Sequence, residues 1–161
     1  MADYLANVPA HFCTTFAGTG VGTTTTLTTA SAQIFSLLGK AYSKAGVANE
    51  ATPTVDIASG VAFRGVLANQ GSVFALCRDS AGTLRAVQGS IEALDAQGNF
   101  INAPQFGAVP MTVCPFAYVV VKAGASASTW TFGVSNFSGP PTGVTFGFQD
   151  VMTLPQRPQV A

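Results

Sequence analysis

The sequence predicts an all-β protein: a single β-sandwich or barrel-like domain of short antiparallel strands with an extended N-terminal arm. Short runs of β-branched and aromatic residues recur along the chain, and turn signals separate them roughly every 8–12 residues. No apolar stripe of helical period continues for three turns. The length of 161 residues fits one domain of this kind.

The first 29 residues are predicted to form the arm, and residues 30–161 the β domain. Residues 1–21 show no sustained period, and their aromatic side chains are scattered among Gly, Thr and Pro. A glycine-rich stretch at 18–22 then leads into residues 23–29, where a run of threonines favours a strand.

A tight hairpin is predicted around Gly39, with strands at 33–38 and 40–44. The segment that follows, residues 45–59, is polar and is broken by Pro53. Because proline cannot donate a ladder hydrogen bond, this segment is predicted to be a loop with room for one short turn of helix.

The middle and the end of the chain carry the clearest strand pattern. Two Asp-x-x-Gly segments, at 79–82 and 95–98, have the residue types that type I turns prefer at their first and last positions. An irregular crossing with three prolines is predicted at 103–115 and a Pro-Pro loop at 135–143. The predicted strands are 61–67, 72–78, 83–88, 90–94, 99–101, 116–122, 129–133 and 142–149, with 116–122 and 129–133 forming a hairpin.

The chain has very few charges for its size. Only 9% of its residues are charged, against about 25% in an ordinary soluble domain. The formal net charge is 0 and 48% of the residues are hydrophobic, so electrostatic protection against self-association is weak. This composition favours a surface covered by other chains; the alternative is a monomer whose surface is rich in Thr, Ser, Asn and Gln.

Nucleic acid and membrane are not predicted partners. The seven basic residues are dispersed, so no basic stripe is available to neutralise several phosphates together. The longest strongly apolar run, residues 116–121, is far shorter than the ~20 residues of a spanning helix. The N-terminus has neither the basic region nor the apolar region of an export signal, which predicts synthesis in the cytoplasm.

The sequence offers no set of catalytic residues, so the chain is predicted not to be an enzyme. Its one histidine, His11, lies in the arm, and no Gly-x-Ser-x-Gly segment is present to supply a nucleophile. Glu92 and Asp95 are the one close pair of acids, but they bracket a turn, and Asp95 already has a turn role. No Asp/Asn cluster matches a calcium loop, and no metal or cofactor is predicted.

Three further features are interpreted as structural. The glycines at 18–22 lack the Lys and the helix of a phosphate loop and are read as a hinge. Trp130 and Phe132 share one face of a predicted strand and are expected in the core, rather than as a sugar-stacking platform. The three cysteines, which lack a Cys-x-x-Cys spacing, are expected to be free thiols: Cys13, Cys77 and Cys114.

Several blocks of the chain resemble small β-rich virion structural proteins of tailed bacteriophages. The similarity covers about residues 30–160, and its most specific parts are Cys-Pro-Phe and Leu-Pro-x-Arg-Pro-Gln. The blocks are GKAYSK (39–44), ATPT (51–54), VFAL (73–76), GTLRAVQGSIE (82–92), PQF (104–106), CPFAYVVVKAG (114–124), TWTFG (129–133) and LPQRPQ (154–159).

The resemblance, with the size and composition, implies a capsid decoration or cement protein on the virion surface, made in the bacterial host cytoplasm. Its partners would be the major capsid protein and further copies of the chain, for example as a trimer. Aromatic residues dominate interface energetics, so the predicted interface anchors are Tyr4, Phe12 and Phe16. The alternative function is a receptor- or glycan-binding module of a head or tail fibre.

Overall fold

The computed structural model describes residues 11–160, which form strands, turns and loops without a helix. Ten strands are present in this part of the chain. They are β1 (His11–Cys13), β2 (Thr19–Val21), β3 (Thr26–Thr29), β4 (Gln33–Leu37), β5 (Lys40–Lys44), β6 (Val47–Ala51), β7 (Gln70–Asp79), β8 (Leu84–Ala93), β9 (Val113–Ala123) and β10 (Val144–Asp150).

The strands form three antiparallel sheets with the orders β1-β4-β5, β2-β3-β6 and β10-β9-β7-β8. Each sheet has two edge strands, so none of them closes into a barrel. The predicted all-β fold of antiparallel strands is therefore confirmed.

The four-stranded sheet is the centre of the molecule, and its strands are longer than the short ones predicted. β7 has 10 residues and β9 has 11, and both are buried along almost their whole length. Residues 83–88 and 90–94, predicted as separate strands, form the single strand β8, which ends at Ala93. Gly89 does not break it, because the glycine is needed for a close approach: an added Cβ would lie 2.1 Å from the Gln105 carbonyl oxygen.

The predicted hairpin of 116–122 with 129–133 is wrong. β9 pairs instead with β7 and β10, and residues 129–133 have a single isolated bridge, Val66 to Trp130. Thr131 O accepts the amides of Val134 and Ser135, so the chain turns here. The β propensity of this segment is overridden because the turn inserts its aromatic side chains into the core.

Other boundaries also differ from the prediction. Residues 61–67 and 99–101 form isolated bridges rather than strands. The predicted loop 45–59 contains β6, which pairs with β3 and exposes most of its side chains, so no hydrophobic pattern marks it. The predicted strand 23–29 is shortened to β3 because a turn with Thr24 at φ 50° closes the β2–β3 hairpin.

Residues 11–29 contribute β1, β2 and β3 to two of the three sheets. Cys13 and Ala17 are fully buried in the main core. The Asp150 carboxylate accepts the amides of Gly18 (2.7 Å) and Thr19 (3.2 Å). The division of the chain at residue 29 stays a prediction, and residues 1–10 of the arm lie outside the described residues.

The main core is aromatic. Phe74 of β7 stacks on Phe132 with ring centroids 4.9 Å apart, and Trp130 meets both rings edge-on. Offset and edge-to-face pairs of this kind add to the hydrophobic gain of burial. The rings joined in this cluster are Phe63, Phe74, Trp130, Phe132, Phe137, Phe146 and Phe148.

A buried arginine links the three sheets. Arg78 of β7 donates to both carboxylate oxygens of Glu50 on β6, at 2.5 and 2.7 Å, and to Gln33 Oε1 on β4 at 2.8 Å. It also donates to the Gly82 carbonyl oxygen at 3.1 Å and lies 5.0 Å from the centre of the Phe116 ring. Because the bidentate contact with Glu50 and the hydrogen bond to Gln33 are directional, together they fix how β4, β6 and β7 sit against each other.

Candidate functional site

The outward face of the β1-β4-β5 sheet is the candidate site. Gln33, Phe35 and Leu37 alternate inward and are buried, so the intervening residues of β4 point outward. Registered partners share a face, which places Phe12 beside Ser36, and Ile34 beside Ser43. The outward residues of the three strands are Phe12, Ile34, Ser36, Ala41 and Ser43, and none of them is charged.

Leu38 extends this face at the hairpin turn and is held in an unfavourable conformation. Leu38 and Gly39 are the two turn residues, with φ angles of 50° and 76°. Two positive φ angles define a type I′ turn, in which Asn-Gly is preferred. A bulky leucine at positive φ is strained, and this one is 59% exposed. The stability of the turn therefore does not explain why a leucine occupies this position.

Phe16 lies next to the same sheet. The preceding residues are tied to β4, because the Thr14 amide donates to Ile34 O at 2.8 Å and the Ile34 amide donates to Thr15 Oγ1 at 3.0 Å. Phe16 is 56% exposed, although Ala17 beside it is fully buried. The backbone is therefore fixed at this position while the aromatic ring remains available to a partner.

Two of the three predicted anchors are described, and they lie close together in the fold. Phe12 is on the outward face and Phe16 follows at its edge, whereas Tyr4 lies outside the described residues. Sequence reasoning missed Ile34 and Leu38. The signal was present in Gln-Ile-Phe-Ser-Leu, but polar Gln33 faces inward to meet Arg78, which hides the alternation.

His11 does not form a catalytic arrangement in the described part of the chain. Its Nδ1 lies 3.2 Å from the Val113 carbonyl oxygen, and its buried Nε2 has no hydrogen-bond partner. A Ser-His-Asp triad needs a carboxylate at one nitrogen and a hydroxyl at the other. The contact with Val113 instead attaches β1 to β9.

The three cysteines are free and buried. Burial, with a smaller effect of nearby Cys13, raises the pKa of the Cys114 thiol to about 12. Burial also raises the pKa of Cys77, with Cys114 and Asp56 adding to the effect. Since the thiolate is the reactive form, both side chains behave as small core residues in the folded state.

The glycine stretch at 18–22 and the two Asp-x-x-Gly segments are structural in the fold. The amides of Gly18 and Thr19 are already bonded to the Asp150 carboxylate, so an internal anion occupies the position that a phosphate would need.

Burial raises the pKa of Asp79, but the Thr83 amide, Arg85 and the Ala81 amide outweigh it and lower the pKa. The Asn99 amide is the main cause of the lowered pKa of Asp95. Both carboxylates cap the predicted turns.

Within residues 11–160, no group of three or more His, Cys, Asp or Glu is placed to hold a metal ion. In the same part of the chain, no helix is long and apolar enough to cross a membrane. Trp130 and Phe132 are fully buried, so their predicted core role is confirmed.

Comparisons with protein-family models, curated proteins and solved structures found no match.

Proposed function

We propose that this chain is a phage virion structural protein, a capsid decoration or cement protein that stabilises the head by bridging major capsid subunits. The observation that carries the proposal is the uncharged outward face of the β1-β4-β5 sheet, with Leu38 exposed at positive φ. Backbone strain that local stability does not explain points to a function, and here the side chain is an apolar contact group. The resemblance to tailed-phage virion proteins gives the class of partner.

The mechanism is burial of apolar surface, repeated over many copies. Phe12, Phe16, Ile34 and Leu38 would sit on a capsid subunit, and neighbouring copies would contact each other, for example as a trimer. Four contact side chains make a small interface, which gives modest affinity for one copy. Simultaneous attachment to several subunits of the lattice raises the overall affinity without any new contact.

Charge at the patch centre tests the proposal. Ile34→Lys places an ammonium on the outward face, where Ile34 is 47% exposed, so the monomer should fold with little loss. Occupancy on heads, measured by cryo-electron microscopy and by co-sedimentation, should fall at least tenfold, as expected for a lost interface anchor. Val134→Lys is the matched control, because Val134 is 65% exposed and lies outside the sheet. Equal occupancy of the two variants would refute the assigned face.

Leu38→Asn separates binding from folding. Asn adopts positive φ more readily than Leu and suits a type I′ turn before Gly39, so thermal stability should be unchanged or raised. The loss of the leucine side chain should nevertheless weaken binding to heads. If the variant binds as tightly as the wild type, the strained leucine is not a contact residue.

One observation favours the receptor- or glycan-binding alternative. A cleft of about 240 Å³ beside β10 is lined by several residues that carry hydroxyl, amide or amino groups: Tyr118, Lys122, Thr145, Gln149 and Gln159. Groups of this kind can hydrogen-bond sugar hydroxyls. A glycan array probed with the purified protein tests this reading, and binding that Gln149→Ala abolishes would favour it over decoration.

A further inference from the structure

The two edges of the four-stranded sheet differ, because loops pack along one of them. On β8, the Ala86 carbonyl oxygen accepts the Ile57 amide at 3.1 Å, and the Ser90 amide donates to Gln105 O at 2.9 Å. Between them, the Gln88 side chain exchanges two hydrogen bonds with the backbone of Arg64. Loops therefore satisfy or shield this edge, as natural sheets normally do.

β10 forms the opposite edge, and among residues 11–160 no strand pairs with its outer side. The bonds from Gly124 N to Gly143 O and from Val151 N to Phe116 O mark the hydrogen-bonded pairs at both ends of the β9–β10 ladder. Such pairs alternate in antiparallel sheets, so the odd-numbered residues of β10 bond to β9. Phe146 and Phe148 must therefore point their backbone amide and carbonyl groups outward, where no partner is found within residues 11–160.

The sequence of β10 lacks the usual protection of an edge strand. Val144–Asp150 contains no Lys, Arg or Pro, and its one charged group, Asp150, is engaged by the amides of Gly18 and Thr19. Phe146 and Phe148 are only partly buried against the aromatic core. An edge strand whose single charge is already engaged and that carries aromatic side chains is suited to pairing with another strand.

We propose that β10 pairs antiparallel with β10 of a second copy of this chain, with Gly147 on the two-fold axis. This register places Phe146 opposite Phe148 of the second copy, and Thr145 opposite its Gln149. The outward backbone groups of Phe146 and Phe148 then meet in hydrogen-bonded pairs. The result is a continuous eight-stranded sheet, and the half-buried phenylalanines of each copy cover those of the other.

Gly147 is the residue that favours this partner and this register. A Cβ at Gly147 would meet nothing within 4 Å, and its φ is not in the left-handed region, so neither packing nor a turn within the chain requires glycine. Glycine inside a strand is unfavourable on its own and marks sites where another backbone approaches closely. In the proposed register, the two glycines face each other in a non-hydrogen-bonded pair, where Cα atoms are about 4.5 Å apart.

A charge at the two-fold axis tests whether the dimer exists. Gly147→Lys leaves the monomer fold intact because the space is open, but it sets two ammonium groups against each other in the dimer. In sedimentation equilibrium, the wild type should dimerise and the variant should show a dimer dissociation constant at least tenfold higher. Gly20→Lys is the matched control, since Gly20 is also in a strand, at negative φ, with nothing within 4 Å of a Cβ. A wild type that stays monomeric, or equal effects of the two variants, would overturn the proposal.

A cysteine scan tests the register. Gly147→Cys should form an intermolecular disulfide on mild oxidation, because residues about 4.5 Å apart fall within the range that a disulfide spans. Thr145→Cys should not, because Thr145 faces Gln149 of the second copy rather than itself. The native cysteines are all buried and give no background. Cross-linking that is as efficient at 145 as at 147 would contradict the register, and because both tests use protein free in solution, their outcome is independent of capsid binding.

Discussion

The two faces of the four-stranded sheet are buried to a similar degree but are covered in different ways. One face, the core face, packs against Trp130, Phe132 and the other rings of the aromatic cluster. The opposite face, the tail face, is covered by the C-terminal tail (residues 151–160) and by Ile57, Phe100, Phe106 and Val109. Clefts of about 490, 240 and 220 Å³ border the tail, so solvent reaches the flanks of this cover.

The difference shows that burial alone does not measure how firmly a surface is held. The tail has no regular structure and includes Pro155 and Pro158, which cannot donate hydrogen bonds. Among residues 11–160 the tail has four polar ties to the rest of the fold. The Gln159 amide donates to the Tyr118 hydroxyl at 2.9 Å, Lys122 Nζ donates to Val160 O at 3.1 Å, and the Val151 amide donates to Phe116 O at 2.9 Å. The fourth is to β1, where the Cys13 amide donates to Met152 O at 2.8 Å. Regions with few such ties open at lower free energy than the core.

The largest expected effect is on the core face. Phe74→Ala removes a fully buried ring that contacts three other aromatic rings, and should lower the free energy of unfolding by about 3–5 kcal/mol. Leu154→Ala on the tail, where the side chain is partly exposed and borders a cleft, should cost roughly 1 kcal/mol. Urea denaturation of both variants measures these losses. Comparable losses would mean that the tail is as well packed as the core.

Neighbouring valines allow a closer comparison of the faces. Val119 lies in the core face and Val120 in the tail face, and both are at least 95% buried. Truncation to Ala removes the same atoms, but the cost includes a cavity term that depends on how tightly the surroundings are packed. We expect about 2–3 kcal/mol for Val119→Ala and about 1–2 kcal/mol for Val120→Ala in urea denaturation. The reverse order would break the distinction between the faces.

The strands of the central sheet and the β4–β5 hairpin can be predicted from the sequence better than the segments that pack around them. β7, β9 and the β4–β5 hairpin have apolar runs or turn signals of their own, so their positions can be read locally. β6 and the turn at 129–133 cannot, because their conformation depends on distant partners. In β6 the partner is Arg78, and in the turn it is the aromatic core. Propensity yields to tertiary contacts at both places.

The residues of the candidate site also differ in how far the sequence alone can point to them. Phe12 and Phe16 stay predicted anchors: the sequence marks them only as aromatics in an irregular segment, and the structure places Phe12, half-buried, on β1 and Phe16, exposed, just after it. Ile34 becomes visible only when the inward direction of Gln33 is known, and that direction is set by Arg78. Leu38 has no distinguishing signal in the sequence, and the positive φ angle that makes it a candidate contact residue is seen only in the structure.

Thiol labelling can compare the two faces in the native protein, because the cysteines are divided between them. Cys77 lies in the tail face, in a cluster packed against Ile57, Phe106, Val109 and Leu154, and Cys114 lies in the core face. Neither is accessible in the closed state, so each can react only when its cover opens. Under native conditions Cys77 should be labelled at least tenfold faster than Cys114, as followed by mass spectrometry of peptides. Simultaneous labelling would show that both faces open only by global unfolding.

The smallest expected effect comes from removing the Tyr118 hydroxyl, which accepts a hydrogen bond from the tail. Tyr118→Phe keeps the ring against Phe106 but removes the acceptor of the Gln159 amide. Because Gln159 is exposed and its amide can pair with water instead, the loss in global stability should be below about 1 kcal/mol. Labelling of Cys77 should nevertheless accelerate, while that of Cys114 should not change, since the tail opens without the core.

Tyr42→Phe is the control, because the Tyr42 hydroxyl has no hydrogen-bond partner among the described residues and its ring stacks on Phe35 in another sheet. If Tyr118→Phe leaves both labelling rates unchanged, apolar contacts alone hold the tail, and the hydrogen bond at Gln159 contributes nothing to closing that face.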